Sequence, residues 1–212
     1  SAISALTAVG GKTAEHILSE SLKDRSLPCA AAVMNALAGM NSKEAVEEYI
    51  SWTEVKDVNT QASAYNALAK SGSPLAFPVL LKAAKSYNYR WERTGATSAF
   101  LDYAPVVGKN GDVKTADRIC KLLISKCNDK SNMQNKIAAL QLYTDLHGAA
   151  AMPEMMKAAS YPDDKYRNAA ISMSAKIEDK IVIGKWIGYF PNATVEAKAE
   201  IVRMLGDRGD KS

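Results

Sequence analysis

The 212-residue sequence predicts an all-α protein, an α-solenoid (superhelix) of about six to seven antiparallel helix pairs. Three observations predict it. The first is a phrase written twice: "FPVLLKAAKSY" at Phe77–Tyr87 returns as "MPEMMKAASY" at Met152–Tyr161, with Phe77 and Met152 75 residues apart. The second is a comb of equal spacing. Leu6, Leu37 and Leu68 stand 31 and 31 apart, and so do Lys136, Arg167 and Lys198, with Leu142, Met173 and Met204 in step. The third is apolar recurrence at three and four residues, a helical stripe and not strand alternation. On "YRNAAISMSAKI" it puts Tyr166, Ala170, Met173 and Ile177 on one face.

Each unit of 31 residues holds two helices and two turns. The first helix of a unit is marked by "KEAVEEYISW" (43–52), "SPLAFPVLLKAAK" (73–85) and "AAMPEMMKAAS" (150–160). Pro78 and Pro153 sit near the starts of two of these, where a missing N–H is tolerated. The second helix is marked by "PCAAAVMNALAGM" (28–40), "TQASAYNALAKSG" (60–72), "NKIAALQLYTDLHG" (135–148), "YRNAAISMSAKI" (166–177) and "EAKAEIVRMLGD" (196–207). Alanine recurs throughout, a strong helix former whose small side chain lets helices approach closely. Turn residues separate the helices: Gly10-Gly11, Gly39 with Asn41-Ser42, Gly72 with Pro74, Gly148, and Gly206 with Gly209. A single pair cannot bury its apolar face, whereas stacked pairs bury a continuous core.

These segments resemble HEAT-like (armadillo-type) helical repeats. "SGSPLAFPVLLKAAKS" is similar to their turn and first helix. "PDDKYRNAAISMSAKI" is similar to their second helix, which opens with Asp, an apolar residue, Arg and a small pair. Here those are Asp163 or Asp164, Tyr166, Arg167 and Ala169-Ala170. The Arg is kept at Arg93 and Arg167, and Lys136 and Lys198 replace it elsewhere. The resemblance implies a curved binding surface. It also points toward the helical segments of large bacterial envelope proteins that carry a carbohydrate-active domain.

Two irregularities modify this plan. From Arg93 to Lys136 the interval is 43, and the excess falls around "YAPVVGKNGDVKTADR", so 103–118 is expected to be an insertion or long loop between repeats. The sequence also starts in a second helix and stops after one, with no polar cap at either end. The expectation is one repeat domain over 1–212, cut from a longer protein.

Charge is uneven. Residues 1–69 carry five Lys/Arg and eight Asp/Glu, residues 70–136 twelve and five, and residues 137–212 ten and ten. A basic middle with a neutral last third argues against a continuous phosphate track, so nucleic acid is a disfavoured partner. No run of about 18 apolar residues is present, so no membrane insertion is expected. Cys120 and Cys127, on one helix, would lie about 10 Å apart, too far to bridge. Cys29, in an Ala-rich helix, reads as a buried small hydrophobe. Cysteine usage does not fix the compartment, and a bacterial envelope or secreted location follows from the resemblance alone.

Convergent chemistry is absent from the sequence. His16 and His147 belong to different units, and no His, Asp or Cys set has metal spacing. Glu44, Glu47 and Glu48 read as a solvated acidic face, and Asp163-Asp164 as a helix cap. "NAT" at Asn192–Thr194 reads as a cap and "RGD" at Arg208–Asp210 as a turn. No catalytic residue, metal or cofactor is expected, and the segment is expected to be non-enzymatic.

The cluster "YNYRWER" concentrates what remains. Tyr87, Tyr89, Arg90, Trp91 and Arg93 are the candidate binding residues, because aromatic and Arg side chains together make a stacking surface. The competing reading has Trp91 filling the core, Tyr87 and Tyr89 packing the turn, and Arg93 serving the repeat. The expected function is a scaffold for protein interaction, with a protein or a neighbouring domain of the same chain as partner. Two alternatives follow from the resemblance. One is a helper segment in a carbohydrate-processing envelope protein. The other is a nucleic-acid binder of the HEAT-like DNA glycosylase kind, for which Asp102 and Trp91 are the nearest candidates.

Overall fold

The structure, a computed structural model, describes residues 2–208. Among these residues the chain is all-α: thirteen α-helices and two 3-10 helices, at 148–151 and 190–192. It divides into two compact units, 1–119 and 120–212, with the division falling inside one helix.

The first unit contains α1 (Ala2–Val9), α2 (Gly11–Ser21), α3 (Ala30–Gly39), α4 (Val46–Trp52), α5 (Val58–Ser71), α6 (Ala76–Ser86) and α7 (Ala96–Lys109), and then the start of α8 (Val113–Lys126). Its odd helices α3, α5 and α7 pack side by side, while α4 lies on α5 and α6 on α7. Ala64, Ala67, Ala69, Ala96 and Ala104 are all fully buried along this layer, which is why the helices sit close. Leu37, Leu68, Leu80 and Phe100 fill the space between the layers.

The second unit holds α9 (Met133–His147), α10 (Met152–Ala159), α11 (Asp164–Ala175), α12 (Ile181–Tyr189) and α13 (Val195–Arg208). The pattern repeats: α11 packs beside both α9 and α13, and α10 lies on α11. Met155, Tyr166, Ala170, Trp186 and Ile201 form its core. Each unit is a layered stack of helices of the α-solenoid kind.

Local chemistry fixes the helix ends. Asp57 accepts from the Thr60 N–H at 2.8 Å, Asp112 from Thr115 at 3.0 Å, and Asp163 from Tyr166 at 3.0 Å, each supplying an N-cap. Thr194 caps α13 through the Ala197 N–H. At the C-terminus of α3, Asn41 has φ 53°, and the Ser42 N–H reaches the Leu37 carbonyl at 3.0 Å. This left-handed closure returns the chain for the next helix. Gly72, with φ 59°, does the same after α5. A Cβ there would stand 2.5 Å from the Asn110 side chain and 2.8 Å from Val106, so the position needs both the conformation and the space.

Several side-chain bonds tie one pair to the next. The Trp52 indole donates to the Leu22 carbonyl at 2.9 Å, and the Tyr103 hydroxyl to Ser73 at 2.8 Å. Tyr189 and Ser160 share a hydrogen bond. Arg208, the last residue of α13, donates to the carbonyls of Ser174, Ala175 and Ile177 at the end of α11.

The segment 103–118 is corrected. It is the second half of α7, a three-residue turn at 110–112 and the first half of α8, not a loop. Pro105 sits inside α7, where it deletes one backbone hydrogen bond. The helix continues because Tyr103, Ala104 and Val107 are buried around it. The extra length of this interval is helix, with α7 and α8 at 14 residues each. Cys29 is also corrected: it precedes α3 and is exposed, while Cys120 and Cys127 are buried. Residues Gly209 and Asp210 of the "RGD" stretch lie outside the described residues, and Arg208 is helical.

Candidate functional site

The candidate site is the nine-residue connector 87–95 between α6 and α7, the longest helix-to-helix connection among the described residues. Its first half is a closure of α6. Tyr87 is the C-cap, the Asn88 N–H donates to the Lys85 carbonyl at 3.0 Å, and the Tyr89 N–H to Ala84 at 2.9 Å. Asn88 takes the left-handed position with φ 51°, which Asn tolerates. Tyr89 follows at φ 55°, a conformation that costs a bulky residue about 1–2 kcal/mol. Tyr89 is only 6% exposed, and the burial of its ring offsets that cost.

The second half is a cap on α7. The Glu92 carboxylate accepts from the Thr94 N–H and hydroxyl and from the Ala96 N–H. A carboxylate at a helix N-terminus also meets the positive end of the helix dipole. Glu92 is therefore committed to the backbone, and it is the only acidic residue among Lys70, Lys82, Lys85, Arg90 and Arg93 over residues 70–95.

Between these two anchors the aromatic and basic side chains point out. Trp91 is 76% exposed and Tyr87 41% exposed, and Arg90 and Arg93 are exposed. Core filling by Trp91 does not occur, and in this connector it is Tyr89 that takes the packing role. The other two tryptophans are core residues: Trp52 is buried under the Arg25 guanidinium at 4.2 Å, and the Trp186 indole donates to Ser174 at 2.8 Å. Of the five candidate residues, the structure brings four to one exposed connector and buries Tyr89. Glu92 was the residue that sequence reasoning missed. Its signal was a carboxylate four residues before the first helical residue of α7.

The remaining candidates hold surface or capping positions. His16 Nδ1 lies 2.7 Å from Glu44 on an exposed surface, and His147 packs on Tyr143 at the end of α9. Glu47 and Glu48 occupy the first turn of α4. Asp102 is exposed on α7. Among the described residues no group of His, Cys, Asp and Glu could hold a metal ion, and no helix is long and apolar enough to cross a membrane.

Comparison with known proteins gives three results. Residues 14–100 match the family described as HEAT repeats. No curated protein matches the chain. Among solved structures, human deoxyhypusine hydroxylase, determined in complex with glycerol, is similar at 14% identity and a TM-score of 0.41, over 99% of this chain and 78% of that one. That protein is an enzyme, against the expectation that the segment is non-enzymatic. A similarity this distant carries no argument about a reaction here.

Proposed function

We propose that this helical-repeat scaffold, which matches HEAT repeats over residues 14–100, binds an acidic protein segment through the connector 87–95, with Trp91 as the anchor. The observation that carries the reading is the exposure of Trp91, 76%, on a connector fixed at both ends by hydrogen bonds. A rigid support lets an aromatic side chain bind without first being ordered, which is where much binding energy is otherwise lost. Tryptophan and arginine are the residues most enriched among those that dominate interfaces. Arg90 and Arg93 supply positive charge beside it, and Arg93 makes no ion pair among the described residues. The partner surface that complements them is acidic, with an apolar group to cover the indole.

The test is selection of a displayed peptide library on the wild-type protein, with Trp91→Ala as the counter-target. The expected outcome is a set of acidic peptides carrying an apolar residue. Their affinity falls about 30-fold in Trp91→Ala, the factor that corresponds to about 2 kcal/mol. It should also weaken with salt in wild type and less so in the double variant Arg90→Ala, Arg93→Ala. A selection that returns no peptide distinguishing wild type from Trp91→Ala refutes the proposal.

A further inference from the structure

The second unit holds a buried cation with no counter-ion. Lys136 closes the first turn of α9 and is 4% exposed. Its Nζ donates to Asn128 Oδ1 at 2.7 Å, and it lies 4.1 Å from the centre of the Tyr161 ring and 5.0 Å from that of Tyr166. These partners are neutral. Among the described residues no carboxylate lies within ion-pair distance of it. Taking an ammonium out of water costs several kcal/mol, and one amide oxygen with two ring faces compensates only part of that. Burial accordingly pushes the Lys136 amine below its ordinary range. The neighbouring Cys127 thiol is pushed up to about 11 by burial, so it stays neutral and supplies no negative charge.

The same lysine forms part of the wall of a cleft of about 440 Å³, a size in the range of small-ligand sites. Tyr166 lines it too. It is 2% exposed, and its hydroxyl makes no hydrogen bond among the described residues. Burial holds that phenol well above its ordinary range, so it remains a donor at neutral pH. Lys121 and Lys157 add positive charge at the rim, and the one carboxylate on the wall, Glu154, is paired with Lys157 at 3.1 Å. The apolar lining is provided by Ile124 and Ala158 with the ring of Tyr161. Two buried side chains that carry donors line one cleft, and its one carboxylate, Glu154, whose charge acts on both, is held by Lys157.

We propose that this cleft binds a carboxylate on a small apolar body, with Lys136 Nζ and the Tyr166 hydroxyl both donating to its oxygens. The chemistry is shared by a free organic acid and by a glutamate side chain of a peptide, and the test separates them. Calorimetric titrations use benzoate, an acetylated glutamyl tripeptide amide and inorganic phosphate as probes, on wild type, Lys136→Met and Tyr166→Phe. Melting of each variant is recorded first. Lys136→Met keeps the chain length and removes the charge. If it does not fold, Tyr166→Phe, which removes one oxygen atom, carries the test.

The expected result is saturable binding of benzoate or the tripeptide by wild type, at least 10-fold weaker in Lys136→Met and three- to five-fold weaker in Tyr166→Phe. Benzoate binding alone assigns a free acid, and tripeptide binding alone assigns a protein carboxylate. No saturable binding of either probe overturns the proposal. So does binding that the variants leave unchanged, or binding of phosphate in preference to both carboxylates.

Discussion

Replacing Glu92 with alanine tests whether the exposed connector is held by its cap. The variant removes three hydrogen bonds to one carboxylate, two of them from backbone N–H groups, Thr94 in the connector and Ala96 at the start of α7. A single helix cap is worth about 0.5–2 kcal/mol and a hydrogen bond to a charged group about 1.5–3 kcal/mol. Glu92 is half-buried, so the freed N–H groups regain water only in part. The loss is set at about 2 kcal/mol, and at 2–4 °C per kcal/mol the melting temperature falls by about 4–8 °C. Glu92→Gln keeps one acceptor oxygen and should lose about half as much. Calorimetric melting reads the stability, and amide exchange at Thr94 and Ala96 reads the cap itself. If Glu92→Ala melts within about 1 °C of wild type with unchanged exchange at those amides, the connector is not anchored as described.

Trp91→Phe should remove the red-shifted, easily quenched part of the tryptophan emission, and Trp91→Ala should change stability by less than about 0.5 kcal/mol, since little of the side chain is buried. Gly72→Ala should cost at least about 1–2 kcal/mol by urea denaturation, because the methyl meets Asn110 and Val106 in a left-handed backbone. One thiol per native chain, Cys29, should react rapidly with a disulfide reagent, with Cys120 and Cys127 reacting only on unfolding. The Cys127 thiol, raised from 9.0 to about 11, favours the protonated folded state. Its contribution is present in full below pH 9 and is lost as pH rises toward 11, where the unfolded chain has released the proton first. Stability of wild type should therefore fall more steeply than that of Cys127→Ala across that window, as read by urea midpoints at pH 8 and pH 10.5.

The helical pairs were legible because burial in a repeat imposes the same residue at the same place. Leu37 and Leu68 of one comb and Met173 and Met204 of the other are buried, while Leu6 and Leu142 at the heads of those combs are half-buried. The cap at Asp163 was legible because an N-cap needs a short acceptor just ahead of an apolar stripe, whereas those at Asp57 and Asp112 went unread. The 103–118 segment was not, because Pro105, Gly108 and Gly111 are loop residues by local preference and only the packing of Tyr103 and Val107 keeps the helix running. The outward turn of Trp91 was one of two readings that the sequence left open. A tryptophan beside a helix start reads as core by composition, and its direction is set by the left-handed pair Asn88-Tyr89, a backbone feature that no side-chain pattern announces. Lys136 was recognised only as a substitute for the repeat arginine. Its enclosure by Tyr161 and Tyr166 depends on two rings from about 25–30 residues further on.

The bonds that leave one helix pair for the next have nearly one length in sequence: Trp52 to Leu22 and Tyr103 to Ser73 span 30 residues, Tyr189 to Ser160 spans 29, and Arg208 to Ile177 spans 31. None of these bonds skips a repeat. Tension applied along the polypeptide would therefore be carried in series, as in links of a chain. Each link that opens would release about 30 residues, or about 100 Å of contour, while leaving the next one closed. Extension should then proceed in equal steps, and a partner bound at one connector would stiffen its own link alone.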